Sequence, residues 1–85
     1  MARTIRTPGQ KVLCLTLIEA RQKAGLTQAA LAARLKCQQS LIARIESGER
    51  RIDVVELIVI ARAIGIPTES VVKAVEKSVP DDQSL

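Results

Sequence analysis

The sequence predicts an all-α domain, a compact bundle of five short helices. Between Gln10 and Val79, apolar side chains recur at spacings of three and four residues, the period of a helix with one buried face. Three of the four glycines, Gly25, Gly48 and Gly65, fall where such a segment stops. Glycine accepts the left-handed conformation that commonly ends a helix. No segment shows a convincing strand pattern, so helices alone are expected.

The composition restricts both the core and the chemistry. The 85-residue chain has no Phe, Tyr, Trp or His, while 47 % of its residues are apolar. We therefore expect one small domain with an aliphatic core. Because His is the commonest general base and metal ligand, its absence argues against an enzyme and against a metal or other cofactor. The absence of aromatic rings also removes the usual stacking surface for single-stranded nucleic acid.

The two cysteines and the apolar segments indicate where the protein works. Cys14 and Cys37 form no CxxC pair, so a zinc site is not expected. Free thiols are favoured over a disulfide, which remains the alternative. The apolar runs are far shorter than the roughly 20 residues of a membrane span, and no signal-peptide pattern is present. We expect a cytoplasmic protein that does not enter a membrane.

The positive charge is concentrated in one part of the chain. Residues 1–52 carry ten Lys/Arg and three Asp/Glu, a net charge of +7. Residues 53–85 carry three Lys/Arg and six Asp/Glu, a net charge of −3. This asymmetry favours a surface that faces a polyanion, with a solvated basic surface as the alternative.

The chain divides into three parts. Residues 1–9 are predicted to form a flexible basic arm, which a Pro8-Gly9 break separates from the rest. Residues 80–85 follow a proline and are predicted to be an acidic tail. The domain is expected between them, at residues 10–79, with helices at about 10–24, 28–35, 39–47, 54–64 and 67–79.

Local signals support these boundaries. Thr27 precedes the second helix as an N-cap residue. Asp53 precedes the fourth helix, and Glu56 three residues later completes a predicted capping box. The second and third helices, joined by a turn at Lys36-Cys37, have the spacing of a helix-turn-helix pair.

The stretch from Gly25 to Ile66 carries a resemblance on several short motifs. These are Gly25-Leu26-Thr27-Gln28, Leu31-Ala32, Ile42 and Arg44-Ile45-Glu46-Ser47-Gly48-Glu49-Arg50. Together they resemble the helix-turn-helix domain of lambdoid phage repressors, Cro-like proteins and restriction–modification controller proteins, the xenobiotic-response-element type. The resemblance covers about residues 10–77. It implies a DNA-binding transcriptional regulator, bacterial or phage-encoded, with double-stranded DNA as its partner.

The resemblance makes the third helix the recognition helix, whose N-terminal turn enters the major groove. Glutamine can pair with adenine, serine with any base edge and arginine with guanine. A solvated polar helix face is the alternative. The predicted base-contacting residues are Gln38, Gln39, Ser40, Ala43 and Arg44.

Phosphate contacts are expected around the same helix pair. The resemblance implies that Gln28 bonds a phosphate and braces the start of the recognition helix, which suits the positive end of a helix. Basic and hydroxyl side chains nearby supply the other candidates, with a solvated surface charge as the alternative for each. They are Thr27, Arg34, Lys36, Arg50, Arg51 and, in the arm, Arg3 and Arg6.

A different role is expected for Arg21 and Glu46. The resemblance implies a partly buried salt bridge between the first and third helices at these positions. Such a pair would fix the angle of the recognition helix, so neither residue is predicted to contact a base. Loss of one partner would leave a charge unpaired.

Three residues depart from the family pattern. Ala30 stands where Glu is common, so the capping box of the second helix should be incomplete. Lys36 replaces the usual Gly of the turn, so the turn should have a strained or an altered backbone. Gln38 replaces the usual Ser or Thr at the start of the recognition helix.

A further departure, on the fourth helix, predicts a protein partner. Val55 and Val59 lie on one face of the fourth helix at positions that are usually polar in this family. Family members dimerise through the fourth and fifth helices. We therefore predict a homodimer interface of Val55, Val59 and the outer face of the fifth helix at Val75 and Val79. The alternatives are a stripe covered by the tail or the first helix, and a protein-binding module such as an antitoxin or anti-activator. No small-molecule ligand is evident.

Overall fold

The computed structural model describes residues 7–85 and confirms an all-α fold for this part of the chain, which contains no strand. The second, third and fourth helices have the predicted bounds. The helices are α1 (Pro8–Lys23), α2 (Gln28–Leu35), α3 (Gln39–Ser47), α4 (Val54–Ile64) and α5 (Thr68–Glu76).

Side-chain caps and glycines set the limits of the central helices. The Asp53 carboxylate accepts a hydrogen bond from the Glu56 backbone N–H at 2.8 Å. The Glu56 carboxylate accepts in turn from the Asp53 N–H at 3.0 Å, so the predicted capping box is present. Gly48 and Gly65 end α3 and α4 with φ angles of 86° and 97°. These left-handed conformations stop both helices where the sequence predicts.

The first helix begins two residues earlier than predicted, because Pro8 and Gly9 are helical. Proline is well tolerated in the first turn, where its missing N–H would have no partner in any case. The Thr7 hydroxyl caps this turn by accepting from the Gln10 N–H at 3.3 Å. Gly9 is buried, and a Cβ there would lie 2.9 Å from Val79 Cγ2. The Pro8-Gly9 pair therefore starts α1 rather than breaking the chain.

The last helix ends at Glu76, earlier than the predicted limit near Val79. The Ser78 hydroxyl donates to the Val75 carbonyl at 2.7 Å, a side-chain bond that competes with continuation of the helix. Pro80 also disfavours the helical conformation at the residue before it. The segment after α5 therefore turns and ends in the exposed residues 80–85.

The core is aliphatic and draws on every helix. Leu17, Leu31, Ile42, Ile60 and Val71 come from α1 to α5 in that order, and none is more than 6 % exposed. Full burial of such a side chain contributes about 1.5–3 kcal/mol. α1 packs mainly on α5, and α2 packs mainly on α3. Leu, Ile and Val side chains are thus sufficient to join five short helices.

One ion pair lies inside this core. Arg21 on α1 and Glu46 on α3 are each 8 % exposed. Arg21 Nε donates to Glu46 Oε2 at 2.7 Å, and Arg21 Nη2 donates to Glu46 Oε1 at 3.0 Å. The third nitrogen, Nη1, donates to the Leu26 carbonyl at 2.8 Å. The pair therefore joins α1, the α1–α2 turn and α3.

Replacing Lys36 by glycine should stabilise the fold. Lys36 has a φ of 56°, the only positive φ outside glycine between residues 7 and 85. This left-handed conformation costs a residue with a Cβ about 1–2 kcal/mol. Glycine avoids that cost, but its greater conformational freedom in the unfolded chain offsets part of the gain in stability. We expect Lys36→Gly to raise the free energy of unfolding by about 0.5–1 kcal/mol in urea titrations. Lys36→Ala is the control, and an equal gain in both variants would contradict the strain argument.

Removing one member of the buried pair should be costly. Glu46→Ala leaves the Arg21 guanidinium buried without its anion, and we expect a loss of about 3–5 kcal/mol in the free energy of unfolding. The double variant Arg21→Met with Glu46→Leu should lose much less, since no charge remains unpaired. Glu19→Ala, at an exposed position of α1, is the control with an expected change below about 0.5 kcal/mol. A loss below about 1 kcal/mol for Glu46→Ala would show that the pair does not hold α3.

Candidate nucleic-acid interface

The N-terminal turn of α3 is exposed to solvent. Gln38 precedes the helix and forms no side-chain cap, while Gln39 and Ser40 begin it, and all three are exposed. Ile42 and Ile45 anchor the opposite side, at 2 % and 7 % exposure. The packing of these two isoleucines therefore turns two amides and a hydroxyl outward at one end of α3.

The same side of α3 continues to its second turn. Ala43 and Arg44 follow Ser40 by three and four residues, a spacing that places them over the same exposed surface. Ala43 is half-buried, and Arg44 is exposed. The structure thus brings Gln39, Ser40, Ala43 and Arg44 together along one side of α3, with Gln38 immediately before its start.

A line of hydrogen bonds connects this surface to the buried ion pair. Gln28 Nε2 donates to Glu46 Oε1 at 2.9 Å. Gln39 Nε2 then donates to Gln28 Oε1 at 2.7 Å. Gln28 and Gln39 are the first residues of α2 and α3. The brace, as we call Arg21, Glu46, Gln28 and Gln39, therefore holds the starts of both helices together and fixes the Gln39 side chain.

Donors that suit phosphate flank α3 on both sides. Thr27 and Gln28 lie at the N-terminus of α2, the end of a helix that attracts anions. Lys36 is exposed in the turn before α3, and Arg51 is exposed in the connection after it. These four predicted residues thus lie at the start of α2 or in the connections before and after α3.

Two predicted phosphate-contacting arginines have partners within the protein. Arg34 Nη1 donates to the Ala63 carbonyl at 2.8 Å, near the end of α4. Arg50 pairs with Glu56 at 2.9 Å and donates to the Arg51 carbonyl at 3.0 Å. The bond from Arg50 lowers the pKa of the Glu56 carboxyl, with a further contribution from the Asp53 N–H. Both guanidinium groups therefore already have hydrogen-bond partners within the protein.

The two arginines of the arm, Arg3 and Arg6, lie outside the described residues. Their predicted contact with DNA stays a prediction from the sequence.

The departures from the family pattern have visible consequences at the helix ends. The Thr27 hydroxyl caps α2 by accepting from the Ala30 N–H at 3.0 Å, but alanine offers no side chain for the return bond. The start of α3 has no side-chain cap at Gln38. Lys36 carries the left-handed backbone of the turn. The hydrogen bond from Gln39 to Gln28 joins the starts of α2 and α3.

An exposed apolar surface lies on α4. Val54, Val55 and Val59 are 71 %, 68 % and 47 % exposed. Beside the last two, an apolar groove of about 190 Å³ separates α4 from α3 and the α2–α3 turn. Cys37 and Leu41 line its other side. The groove could not be predicted from the sequence, because it depends on how α3 and α4 pack.

The fifth helix differs from the predicted interface. Val75 is half-buried and packs against the core, so it does not lie on an outer face. Val79 is 41 % exposed but follows the end of α5 and lies beside Gly9. Packing of α5 on α1 explains both positions. Val72, at 49 % exposure, is the most exposed of the three valines of α5.

The two cysteines are not bonded to each other. Cys14 and Cys37 are free thiols, as expected, and Cys14 Sγ donates to the Ile45 carbonyl at 3.4 Å. Burial raises the pKa of the Cys14 thiol. Across residues 7–85, acidic and cysteine side chains form no group of three that could hold a metal ion. No helix in the same range is long and apolar enough to cross a membrane.

Comparisons with known proteins agree with this architecture. A family model described as helix-turn-helix matches residues 17–71. The structure of an XRE-family like protein from Pseudomonas syringae pv. tomato str. DC3000 is 39 % identical, covers 85 % of this chain and 88 % of that chain, and superposes with a TM-score of 0.77. The clp gene regulator ClgR from C. glutamicum is 19 % identical and shares the fold, covering 94 % of this chain and 100 % of that chain with a TM-score of 0.76. No curated protein matches the chain.

The matched segment runs from the middle of α1 into α5 and includes the whole helix-turn-helix pair. The similarity to the Pseudomonas protein extends over most of both chains. This chain therefore belongs to the XRE-type helix-turn-helix family of DNA-binding transcriptional regulators.

Proposed function

We propose that this chain binds a specific double-stranded DNA sequence as a homodimer and represses transcription from the site. The observation that carries the proposal is the exposed and braced N-terminus of α3. A helix fits the major groove, and its first turn reaches the base edges there. The brace holds Gln39 in place before DNA binds, which lowers the cost of ordering that side chain.

Each residue on this side of α3 has a chemically suitable partner in the groove. Gln38 and Gln39 can accept from adenine N6 and donate to N7. The Ser40 hydroxyl can donate or accept, and Ala43 can contact a thymine methyl group. Arg44 can pair with guanine or with a phosphate. These side chains together provide contacts for several successive base pairs.

Phosphate contacts would set the orientation of α3 without reading sequence. We assign this role to Thr27, Gln28, Lys36 and Arg51, which lie at the start of α2 or in the connections before and after α3. Arg34 and Arg50 are omitted because their guanidinium groups already bond to Ala63 and Glu56.

The exposed valines of α4 support a homodimer. Val55 and Val59 lie one turn apart on a surface that also opens into the apolar groove. Clustered apolar exposure on a small domain is typical of a protein interface. A two-fold dimer would place two α3 helices about one DNA turn apart, on an inverted repeat. Bound over a promoter, such a dimer would block polymerase.

A second candidate function is a protein-binding module of the antitoxin or anti-activator kind. The apolar groove between α3 and α4 favours it, because its lining residues, Cys37, Leu41 and Val59 among them, could bind an apolar side chain of a partner. Binding assays at increasing salt separate the two candidates. A DNA-binding regulator loses affinity steeply with salt but keeps its preferred sequence, whereas a protein-binding module would select no duplex.

Base contacts and phosphate contacts should respond differently to mutation. After selection of duplexes from a random pool, Ser40→Ala should change the preferred base at one position with a cost of about 1–3 kcal/mol there. Arg51→Ala should weaken all duplexes alike and reduce the salt slope of log K by about 0.9 for one lost phosphate contact. Glu69→Ala, exposed on α5, is the control for both. Failure of the wild-type protein to enrich any sequence would contradict the proposed function.

Oligomeric state tests the role of the α4 valines. Val55→Asp should convert the dimer to a monomer in sedimentation experiments at tens of micromolar, because a charge on each subunit would be buried in the interface. The free energy of unfolding of the monomer should change little, since Val55 is 68 % exposed. Leu15→Asp, on an exposed part of α1, should leave the dimer intact. A wild-type protein that sediments as a monomer would refute the interface.

A further inference from the structure

The side-chain amides of Gln28 and Gln39 could each be turned either way round, whereas the Glu46 carboxylate presents an oxygen in both orientations. Rotating a carboxamide by half a turn exchanges its donor and its acceptor with little change of shape. A carboxylate offers only acceptors. Glu46 Oε1 therefore requires the nitrogen of Gln28, and the two atoms lie 2.9 Å apart. Gln28 then has its oxygen left for Gln39, which must offer Nε2, at 2.7 Å.

The relay, as we call the hydrogen bonds that connect Glu46 to Gln28 and Gln28 to Gln39, starts from a carboxylate whose position is fixed. Both oxygens of Glu46 accept from Arg21, at 2.7 Å and 3.0 Å. The carboxylate is 8 % exposed, so little water can replace its protein partners. A bidentate pair of this kind also fixes the plane of the carboxylate. The direction of both glutamine hydrogen bonds is therefore set from inside the core.

We propose that Glu46 is a positioning residue for sequence preference, because it determines which way round Gln39 presents its amide to a base pair. Glu46 itself is buried behind Gln28 and has no access to DNA in this role. The inference rests on the proposed function, since it requires Gln39 to read a base in the major groove.

The chemistry of the base edges makes this direction matter. Adenine presents the acceptor N7 and the donor N6 side by side in the major groove, and the reversed base pair presents them in the opposite order. With one Nε2 hydrogen engaged by Gln28, Gln39 retains its other N–H and Oε1 in a fixed order. A fixed order distinguishes A·T from T·A. The hydroxyl of Ser40 rotates freely and has no such dependence.

The test is base preference at one position in the Glu46→Gln variant. A loss of preference on Gln39→Ala first identifies the base pair that Gln39 reads. In Glu46→Gln the side chain facing Gln28 can donate or accept, so both directions of the relay become possible. We expect the wild-type preference between that base pair and its reverse to fall about five-fold or more in competition binding. Preference at the position read by Ser40 should stay within about two-fold.

Two further variants separate positioning from a structural role. Gln28→Leu interrupts the relay but leaves the Arg21–Glu46 pair in place, so the same preference should be lost from a stably folded protein. The exchange variant, Gln28→Glu with Glu46→Gln, puts the carboxylate beside Gln39, which again must offer Nε2. Its base preference should therefore return, although the buried ion pair does not. If Glu46 had only a structural role, the exchange variant should not recover the base preference.

These experiments distinguish a failure of the role of Glu46 from a failure of the proposed function. Unchanged preference at the Gln39 base pair in Gln28→Leu, or no recovery in the exchange variant, would overturn the role of Glu46 while leaving sequence-specific binding intact. A wild-type protein that prefers no duplex would overturn the proposed function itself, and the inference with it.

Discussion

The ion pair between Arg21 and Glu46 connects the core of this protein to the surface that we assign to DNA. Taking two charges out of water is expensive, and only dense hydrogen bonding offsets the cost. Arg21 meets that condition with two bonds to Glu46 and one to Leu26. Between residues 7 and 85, no buried side-chain nitrogen or oxygen lacks a partner. The angle of α3 is thus tied to α1 by a contact that tolerates little displacement.

A second ion pair, between Arg50 and Glu56, has a different role. Its side chains are 37 % and 38 % exposed, so water and salt screen their attraction and the pair contributes little free energy. Its value is geometric, because Arg50 bonds the carboxylate that also caps α4. The Arg21–Glu46 pair thus holds the start of α3 through Gln28 and Gln39, and the Arg50–Glu56 pair orders the connection that follows α3.

Much of the fold could be predicted because its signals are local. Glycines and the capping box define the ends of α3 and α4 within a few neighbouring residues, independent of tertiary packing. The exposed side of α3 follows similarly from the spacing of Ile42 and Ile45. The start of α1 could not be predicted, since Gly9 is helical in a place where Val79 packs against it.

The candidate site was predictable in outline but not in its partners. Residue type and spacing pointed to the polar turn of α3, yet the partners of Arg34 and Arg50 depend on where α4 lies. The inward position of Val75 likewise follows from the packing of α5 on α1. The bond between Gln28 and Gln39 joins residues eleven positions apart, and only the packing of two helices reveals it.

The braced start of α3 is the surface that we propose meets DNA. Titration of the isotope-labelled protein with a selected duplex, followed by NMR, tests it most directly. We expect the largest shifts for the side-chain amides of Gln28 and Gln39 and for the backbone of residues 38–44, with little change in α5. Shifts confined to α4 and α5, with the Gln39 amide unaffected, would contradict it.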